Sequence, residues 1–189
     1  MKNVLVEVSA RHIHVTQEVL EVLFGAGYQL TPKKELSQPG QYVCEEKVEV
    51  VGPRSSLKMS ILGPTRKETQ VEVSFTDART LGVKCELRES GNIANTVGIK
   101  LVGPKGECEI SEGVIVAKRH IHMTEEDAKE FNVTNGEIVS VKILTEGRSV
   151  TMHDTVIRVR NDFKLAMHID TDEANAAMIS TTAQGQIIK

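Results

Sequence analysis

Strand-length apolar runs dominate the chain. Val4–Val8, Gln41–Val51, Leu57–Ile61, Thr69–Phe75, Val114–Ala117, Ile138–Leu144, Ser149–Val159 and Ala166–Ile169 are mostly rich in Val and Ile. Several alternate apolar with polar positions, as in Lys47-Val-Glu-Val-Val51 and Gln70-Val-Glu-Val-Ser74. Period two sends successive side chains to opposite faces, so these segments predict β-strands. Gly52-Pro53, Gly63-Pro64 and Gly103-Pro104 each follow an apolar run and predict turns. Helical signals are few and short. Thr16 and Thr124 each precede an acidic, helix-compatible stretch and predict N-caps, the second as a Thr-x-x-Asp form of the capping box. A third short helix is predicted over Asp172–Ile179, after Thr171. Gly25–Gly40, with Lys33-Lys34, two prolines and three glycines, reads as an inserted loop or hairpin. Many short strands with regular turn signals predict barrels or a sandwich rather than a parallel sheet.

One element occurs twice. Residues 6–16 read Val-Glu-Val-Ser-Ala-Arg-His-Ile-His-Val-Thr, and residues 114–124 read Val-Ile-Val-Ala-Lys-Arg-His-Ile-His-Met-Thr. His12 aligns with His120, an offset of 108 residues, and four of the chain's six histidines lie in these two copies. On extended chain, His-x-His puts both imidazoles on one face. Neutral imidazole is a common ligand of zinc and other transition metals. Two such pairs, His12/His14 and His120/His122, therefore predict two metal half-sites facing each other. A duplicated structural motif that hydrogen-bonds its own helix caps does not explain why both imidazoles recur.

Bulk properties narrow the function classes. With 189 residues the chain has room for one large domain or two small ones. It is 40% apolar and 26% charged, with a net charge of −3, so neither a nucleic-acid footprint nor a membrane footprint is expected. No apolar stretch is long enough to span a bilayer. The three cysteines, Cys44, Cys85 and Cys108, are odd in number and form no Cys-x-x-Cys, which argues against a disulfide framework and for a reduced cytosolic setting. There is no Gly-x-Gly-x-x-Gly and no Walker A loop.

Each histidine pair needs further ligands. His168, in Met-His-Ile-Asp-Thr-Asp-Glu, is the best fifth histidine, with Asp170 as a ligand or a carboxylate behind one. Glu72 alternates with Val71 and Val73, so it is a ligand or an exposed strand glutamate. His153 reads as a surface residue. In Gly63-Pro-Thr-Arg66, Arg66 offers a rigid fork suited to phosphate or carboxylate, set against a merely solvated charged turn. Arg88-Glu-Ser-Gly-Asn-Ile-Ala-Asn-Thr-Val-Gly98 is a substrate groove or a flexible loop.

Together these segments resemble the phosphate propanoyltransferase family of phosphotransacylases. The likeness runs through Ser9-Ala-Arg-His-Ile-His14, Gly63-Pro-Thr-Arg66, Gln70-Val-Glu-Val-Ser74, Thr76-Asp-Ala-Arg79, Ser90-Gly-Asn92, Gly113–Thr124 and Met167-His-Ile-Asp-Thr-Asp-Glu-Ala-Asn175. The resemblance implies a mainly β fold: two similar β-barrel domains capped by short α-helices, with a two-zinc active site at their interface. It implies one barrel from residues 1–10 plus 118–189 and a second from 11–117, with 25–40 as a small excursion. It implies that His12, His14 and Glu72 hold one zinc and His120, His122 and His168 the other. Arg66 would bind phosphate, Ser9 and Ser90 would lie beside the substrates, and Gly98 would fall near the CoA groove. Thr96-Val97-Gly98 departs from the family's usual Thr-Pro-Gly and leaves that last assignment open.

The implied reaction converts acyl-CoA and phosphate reversibly into acyl phosphate and CoA, with acetyl and propionyl both open as the acyl group. Direct attack by phosphate needs no acyl-enzyme, and no cysteine sits beside a histidine or a Gly-rich elbow. Alternatives are a dinuclear zinc thioesterase or hydrolase and a non-catalytic metal-binding barrel of cupin type. Only eleven residues precede His12, so no microcompartment-targeting extension fits and a free cytoplasmic enzyme is expected; exposed barrel edges would allow a homodimer.

Overall fold

The structure, a computed structural model, describes residues 2–188. Its elements in chain order are β1 (Asn3–Val8), β2 (His12–His14), α1 (Gln17–Phe24), β3 (Pro32–Glu35), β4 (Tyr42–Val51), β5 (Ser56–Gly63), β6 (Gln70–Glu72), α2 (Phe75–Leu81), β7 (Glu86–Arg88), β8 (Val97–Val102), β9 (Glu107–Ala117), β10 (His120–Met123), α3 (Glu125–Phe131), β11 (Ile138–Leu144), β12 (Thr151–Val159), β13 (Ala166–Ile169), α4 (Thr171–Ala176) and β14 (Thr182–Ile188). The chain divides into two compact units. One comprises the residues up to Ala10, Ser37–Pro39 and the residues from Lys118 onward; the other comprises Arg11–Leu36 and Gly40–Ala117.

Each unit is a closed six-stranded barrel. In the first unit the order is β1-β13-β10-β12-β11-β14, closing on β1. In the second, β4-β5-β2-β6-β9-β8 closes on β4, while β3 and β7 add to β4 and β9. Every pairing within the closed barrels has its counterpart. β2 pairs parallel with β5 and antiparallel with β6, as β10 pairs parallel with β12 and antiparallel with β13. β6 pairs parallel with β9, as β13 does with β1. Thus β1, at the head of the first sequence copy, completes the barrel built from the second copy, and β9 completes the barrel built from the first. Closure gives every barrel strand a partner on both sides.

Period two explains how the histidine strands fit. Ile13 and Ile121, between the paired histidines, are fully buried in the two cores. Ile13 packs in a core with Val48, Met59, Ile61, Val71 and Leu101. Ile121 packs in one with Val4, Val6, Val141, Ile143 and Met167. The isoleucines anchor β2 and β10 inward, and the flanking histidines share the opposite side of each strand.

Several elements differ from their sequence expectation. The strand expected over Thr69–Phe75 stops at Glu72, because Ser74 caps a helix that the alternation hid: the Asp77 N–H donates to Ser74 Oγ at 3.1 Å and the Ser74 N–H donates to Asp77 Oδ2 at 3.3 Å. Gly82 ends this helix in the left-handed region at φ 82°, which glycine adopts freely. The last helix is capped by Asp170 rather than Thr171 and ends at Ala176. Within Gly25–Gly40, β3 pairs antiparallel with β4, so the excursion is a hairpin arm. Among the described residues no helix is long and apolar enough to cross a membrane.

Candidate metal centre

Four strands carry the candidate ligands, and each runs into a helix the same way. His14, Glu72, His122 and His168 each stand two residues before an N-cap: Thr16, Ser74, Thr124 and Asp170 respectively. The cap fixes where the strand ends, and with it the direction of the last side chain before the turn.

In the second unit three donors converge. The ligand atoms of His12, His14 and Glu72 all lie within 4.8 Å of one another. His12 Nε2 is 3.5 Å from Glu72 Oε2. The other carboxylate oxygen, Oε1, accepts hydrogen bonds from Gln70 Nε2 at 2.6 Å and Ser90 Oγ at 2.8 Å. Gln70 itself is held, because its Oε1 accepts from the Gly91 N–H at 2.7 Å. His14 Nδ1 lies 3.2 Å from the Leu62 carbonyl oxygen; a carbonyl only accepts, so Nδ1 carries the proton and Nε2 keeps its lone pair. Burial, reinforced by the charges of His12 and Arg66, lowers the His14 pKa to about 3. Burial pushes the Glu72 carboxyl up, but His12, His14 and Ser90 outweigh it and hold the group well below the usual carboxylate range. Neutral imidazole and ionised carboxylate are the forms that bind a cation.

In the first unit three imidazoles cluster. Ring centroids are 4.6 Å apart for His120–His122, 5.4 Å for His120–His168 and 5.0 Å for His122–His168. His120 Nδ1 donates to the Lys118 carbonyl at 2.8 Å. Burial, then the charges of His120 and His168, lower the His122 pKa to about 2. His122 Nδ1 is buried and has no hydrogen-bond partner among the described residues. A buried polar nitrogen without a partner is costly, and a bound cation would satisfy it. Behind His168, Glu7 Oε2 lies 4.0 Å from Nδ1 and accepts a hydrogen bond from Ser37 Oγ, while Gln38 Nε2 is 3.5 Å from His168 Nε2.

The His12–His14–Glu72 cluster can hold a metal ion, and the three imidazoles of the first unit are the matching candidate. Each offers three protein donors drawn from imidazole and carboxylate, the number that a catalytic zinc takes while keeping a position for substrate. Convergence of the donors supports the fit in the second unit, and the unpartnered His122 nitrogen supports it in the first.

The remaining candidates have definite places. Arg66 is exposed after the Gly63-Pro64 turn; its backbone N–H donates to the Val15 carbonyl at 2.9 Å, and its charge is felt at His14. The Ser9 N–H donates to the Ile169 carbonyl at 2.8 Å, beside the His168 strand. Ser90 is hydrogen-bonded directly to Glu72. Gly98 lies at a register shift between β8 and β9, where a Cβ would come 2.1 Å from the Ile110 carbonyl oxygen, so packing alone demands glycine there. Asp170 serves as the helix cap: its Oδ1 accepts from the Glu173 N–H at 2.9 Å. His153 is exposed against Ser140. Cys44 and Cys85 are pushed up to about 11 by burial, and Cys108 is raised for the same reason, so all three are thiols rather than thiolates near neutral pH. Sequence reasoning missed Gln70 and Glu7. Gln70 shares the face of Glu72 by period two, a signal present in the sequence. Glu7 is placed by its pairing with His168, which no local pattern encodes.

Comparison with known proteins finds relatives along nearly the whole chain. A model of the phosphate propanoyltransferase family matches residues 5–180. The chain is 52% identical over 185 residues to a phosphate propanoyltransferase of Listeria monocytogenes, covering 97% of this chain and 86% of that protein. It is 51% identical over 179 residues to one of Thermotoga maritima, covering 94% and 85%. It is 54% identical over 185 residues to one of Lachnoclostridium phytofermentans, covering 97% and 84%.

Proposed function

The chain belongs to the phosphate propanoyltransferase family of acyltransferases, and on that premise we propose that it moves a short acyl group, propionyl or acetyl, reversibly between CoA and inorganic phosphate. The observation that carries this reading is the converging His12–His14–Glu72 cluster with the Arg66 charge felt at its inner histidine. In the forward step a phosphate oxygen bonds to the thioester carbonyl carbon, the carbon–sulfur bond breaks, and the sulfur leaves with its electron pair as CoA thiolate.

Zinc held by His12, His14 and Glu72, and a second held by His120, His122 and His168, would supply Lewis acidity to the carbonyl oxygen and to the departing sulfur. The chain's own groups do the rest. Arg66 binds phosphate through its planar fork and orients it for attack. Ser90 and Gln70 hold Glu72 ionised and oriented. The Leu62 and Lys118 carbonyls fix the tautomers of His14 and His120. Ser9, Ser90 and Gly98 are assigned to the surroundings of the acyl-CoA. Phosphate is already partly a dianion near neutral pH and needs positioning more than a strong base. No acyl-enzyme is required, and the protonated cysteines fit that.

The test is thiol release from propionyl-CoA and acetyl-CoA by zinc-replete protein, with and without phosphate. Release that requires phosphate is the expected result, and the two rates rank the acyl groups. Release without phosphate would overturn acyl transfer to phosphate in favour of a thioesterase.

A further inference from the structure

The arginine that opens each Arg-His-x-His copy has no part in the ligand sets, yet in both barrels it is paired with an acid at the equivalent position. Arg11 Nη1 is 2.9 Å from Asp77 Oδ1, and Arg119 Nε is 3.3 Å from Glu173 Oε1. Asp77 and Glu173 are equivalent residues. Each is the third residue of a helix whose N-cap stands two residues after the third candidate ligand, Glu72 in one case and His168 in the other. Each spends one carboxylate oxygen on its own helix cap: Asp77 Oδ2 accepts from the Ser74 N–H, and Glu173 Oε2 accepts from the Asp170 N–H at 2.9 Å. Each gives the other oxygen to the arginine. The shorter aspartate meets the far end of its arginine, at Nη1, and the longer glutamate meets the nearer Nε, so the two links span a similar reach with different residues.

We propose that Arg11 and Arg119 are positioning residues that lock the third metal ligand of each cluster against the first histidine, a role that rests on the clusters' being metal sites. The register supports it. His12 stands opposite Glu72 and His120 opposite His168 in antiparallel pairs. Each arginine immediately precedes that histidine, and each acid follows that ligand by five residues. The ion pair therefore closes a second link beside the histidine–ligand pair, tying the start of the His-x-His strand to the helix that ends the partner strand. Stability alone does not account for its recurrence. The side chains of Arg11 and Arg119 are 42% and 29% exposed, against 9% and 21% for Asp77 and Glu173, so the arginine end of each pair is open to water and screened. What they fix is direction: groups behind the ligands of a metal site commonly change metal affinity by about 10–100-fold when removed.

The experiment uses the full chain, loaded with zinc or with cobalt as a spectroscopic stand-in. Arg11→Gln is expected to weaken one of the two bound zinc equivalents by about 10–100-fold in chelator competition, to leave the other at wild-type affinity, and to alter the cobalt absorption bands. Arg119→Gln is expected to do the same to the other equivalent. Asp77→Asn should weaken the equivalent that Arg11→Gln weakens, and the double variant should lose no more than the larger single loss, because both break one link. Arg11→Lys should recover part of the affinity. Wild-type zinc affinity and cobalt spectra in both arginine variants would overturn the proposal. So would equal weakening of both equivalents by one variant, which would mark a general structural prop. A wild-type protein that takes up neither zinc nor cobalt would instead overturn the metal reading on which this one rests.

Discussion

Glu72 and His168 occupy the same register position in their respective barrels, each directly opposite the first histidine of its own His-x-His strand, His12 in one and His120 in the other. One strand pair thus accepts either a carboxylate or an imidazole as its third donor. The difference is partly offset by the neighbouring strand. Beside His168 stands Glu7 on β1, whereas beside Glu72 stands Ile115 on β9. Each cluster therefore has one carboxylate, as a candidate ligand in one barrel and behind the third imidazole in the other.

If both positions ligate, Glu72→Ala and His168→Ala will each remove one zinc equivalent and leave the second, and His120→Ala will lose metal and activity together. Metal analysis of the purified variants beside their turnover checks this. A variant that keeps both equivalents would remove that residue from the ligand set.

Arg66 is the candidate for phosphate, and its exposed side chain makes it replaceable without cost to the core. Arg66→Ala is expected to lower turnover by about 10²-fold or more, the scale for losing one donor aimed at developing charge. Its zinc content should be unchanged and its KM for phosphate raised. Steady-state kinetics with phosphate varied, together with metal analysis, separates this role from a structural one. Near-normal turnover would end it.

The cysteine alternative has its own test. All three thiols are raised by burial, Cys44 and Cys85 to about 11. Replacing Cys44, Cys85 and Cys108 together by alanine is expected to leave phosphate-dependent thiol release near wild type. Emptying the Cys44 position in the core will cost stability on the order of 1 kcal/mol. Abolished turnover in a folded, zinc-replete variant would restore a covalent mechanism.

How far the sequence reaches is visible in particular residues. The His-x-His strands and the Thr16 and Thr124 caps are legible because period two and capping chemistry act within a few residues. The helix at Phe75–Leu81 is not, because Val71, Val73 and Phe75 continue an alternating pattern and the competing Ser74–Asp77 box is the weaker local signal. β8 and β14 escape a local reading for a tertiary reason. Gly98 breaks an apolar run and Gly185 stands between Gln184 and Gln186, and each is required by a neighbour that only the fold supplies. A Cβ at Gly98 would sit 2.1 Å from the Ile110 carbonyl oxygen, and one at Gly185 would sit 2.8 Å from a Val141 methyl. At Glu72 alternation predicts a face but not its burial, which depends on pairing with β2. The pairing of Val6 with Met167 joins residues too far apart for any local pattern to encode.

The buried imidazoles make stability fall with acid, and the sign follows from where the proton goes. His14 is lowered to about 3 and His122 to about 2, each chiefly by burial. Unfolded, both would titrate near their ordinary value of about 6.5. Below that pH the unfolded chain takes up protons that the folded chain refuses, so stability present above about 6.5 is lost as the pH falls toward 3 and 2. Each group contributes a slope of up to about 1.4 kcal/mol per pH unit over its window. Glu72, held well below the usual carboxylate range, acts in the same direction at lower pH, from about its ordinary value downward. Urea midpoints of chelator-stripped protein should therefore fall steadily from pH 7 to pH 4. Bound zinc should raise the midpoints, and the gain should shrink as the pH falls, because protons and metal compete for the same nitrogens. His14→Gln or His122→Gln should flatten the curve between pH 6.5 and 4. A stripped wild-type protein as stable at pH 4.5 as at pH 7 would show that these histidines titrate freely and are not desolvated in the barrels.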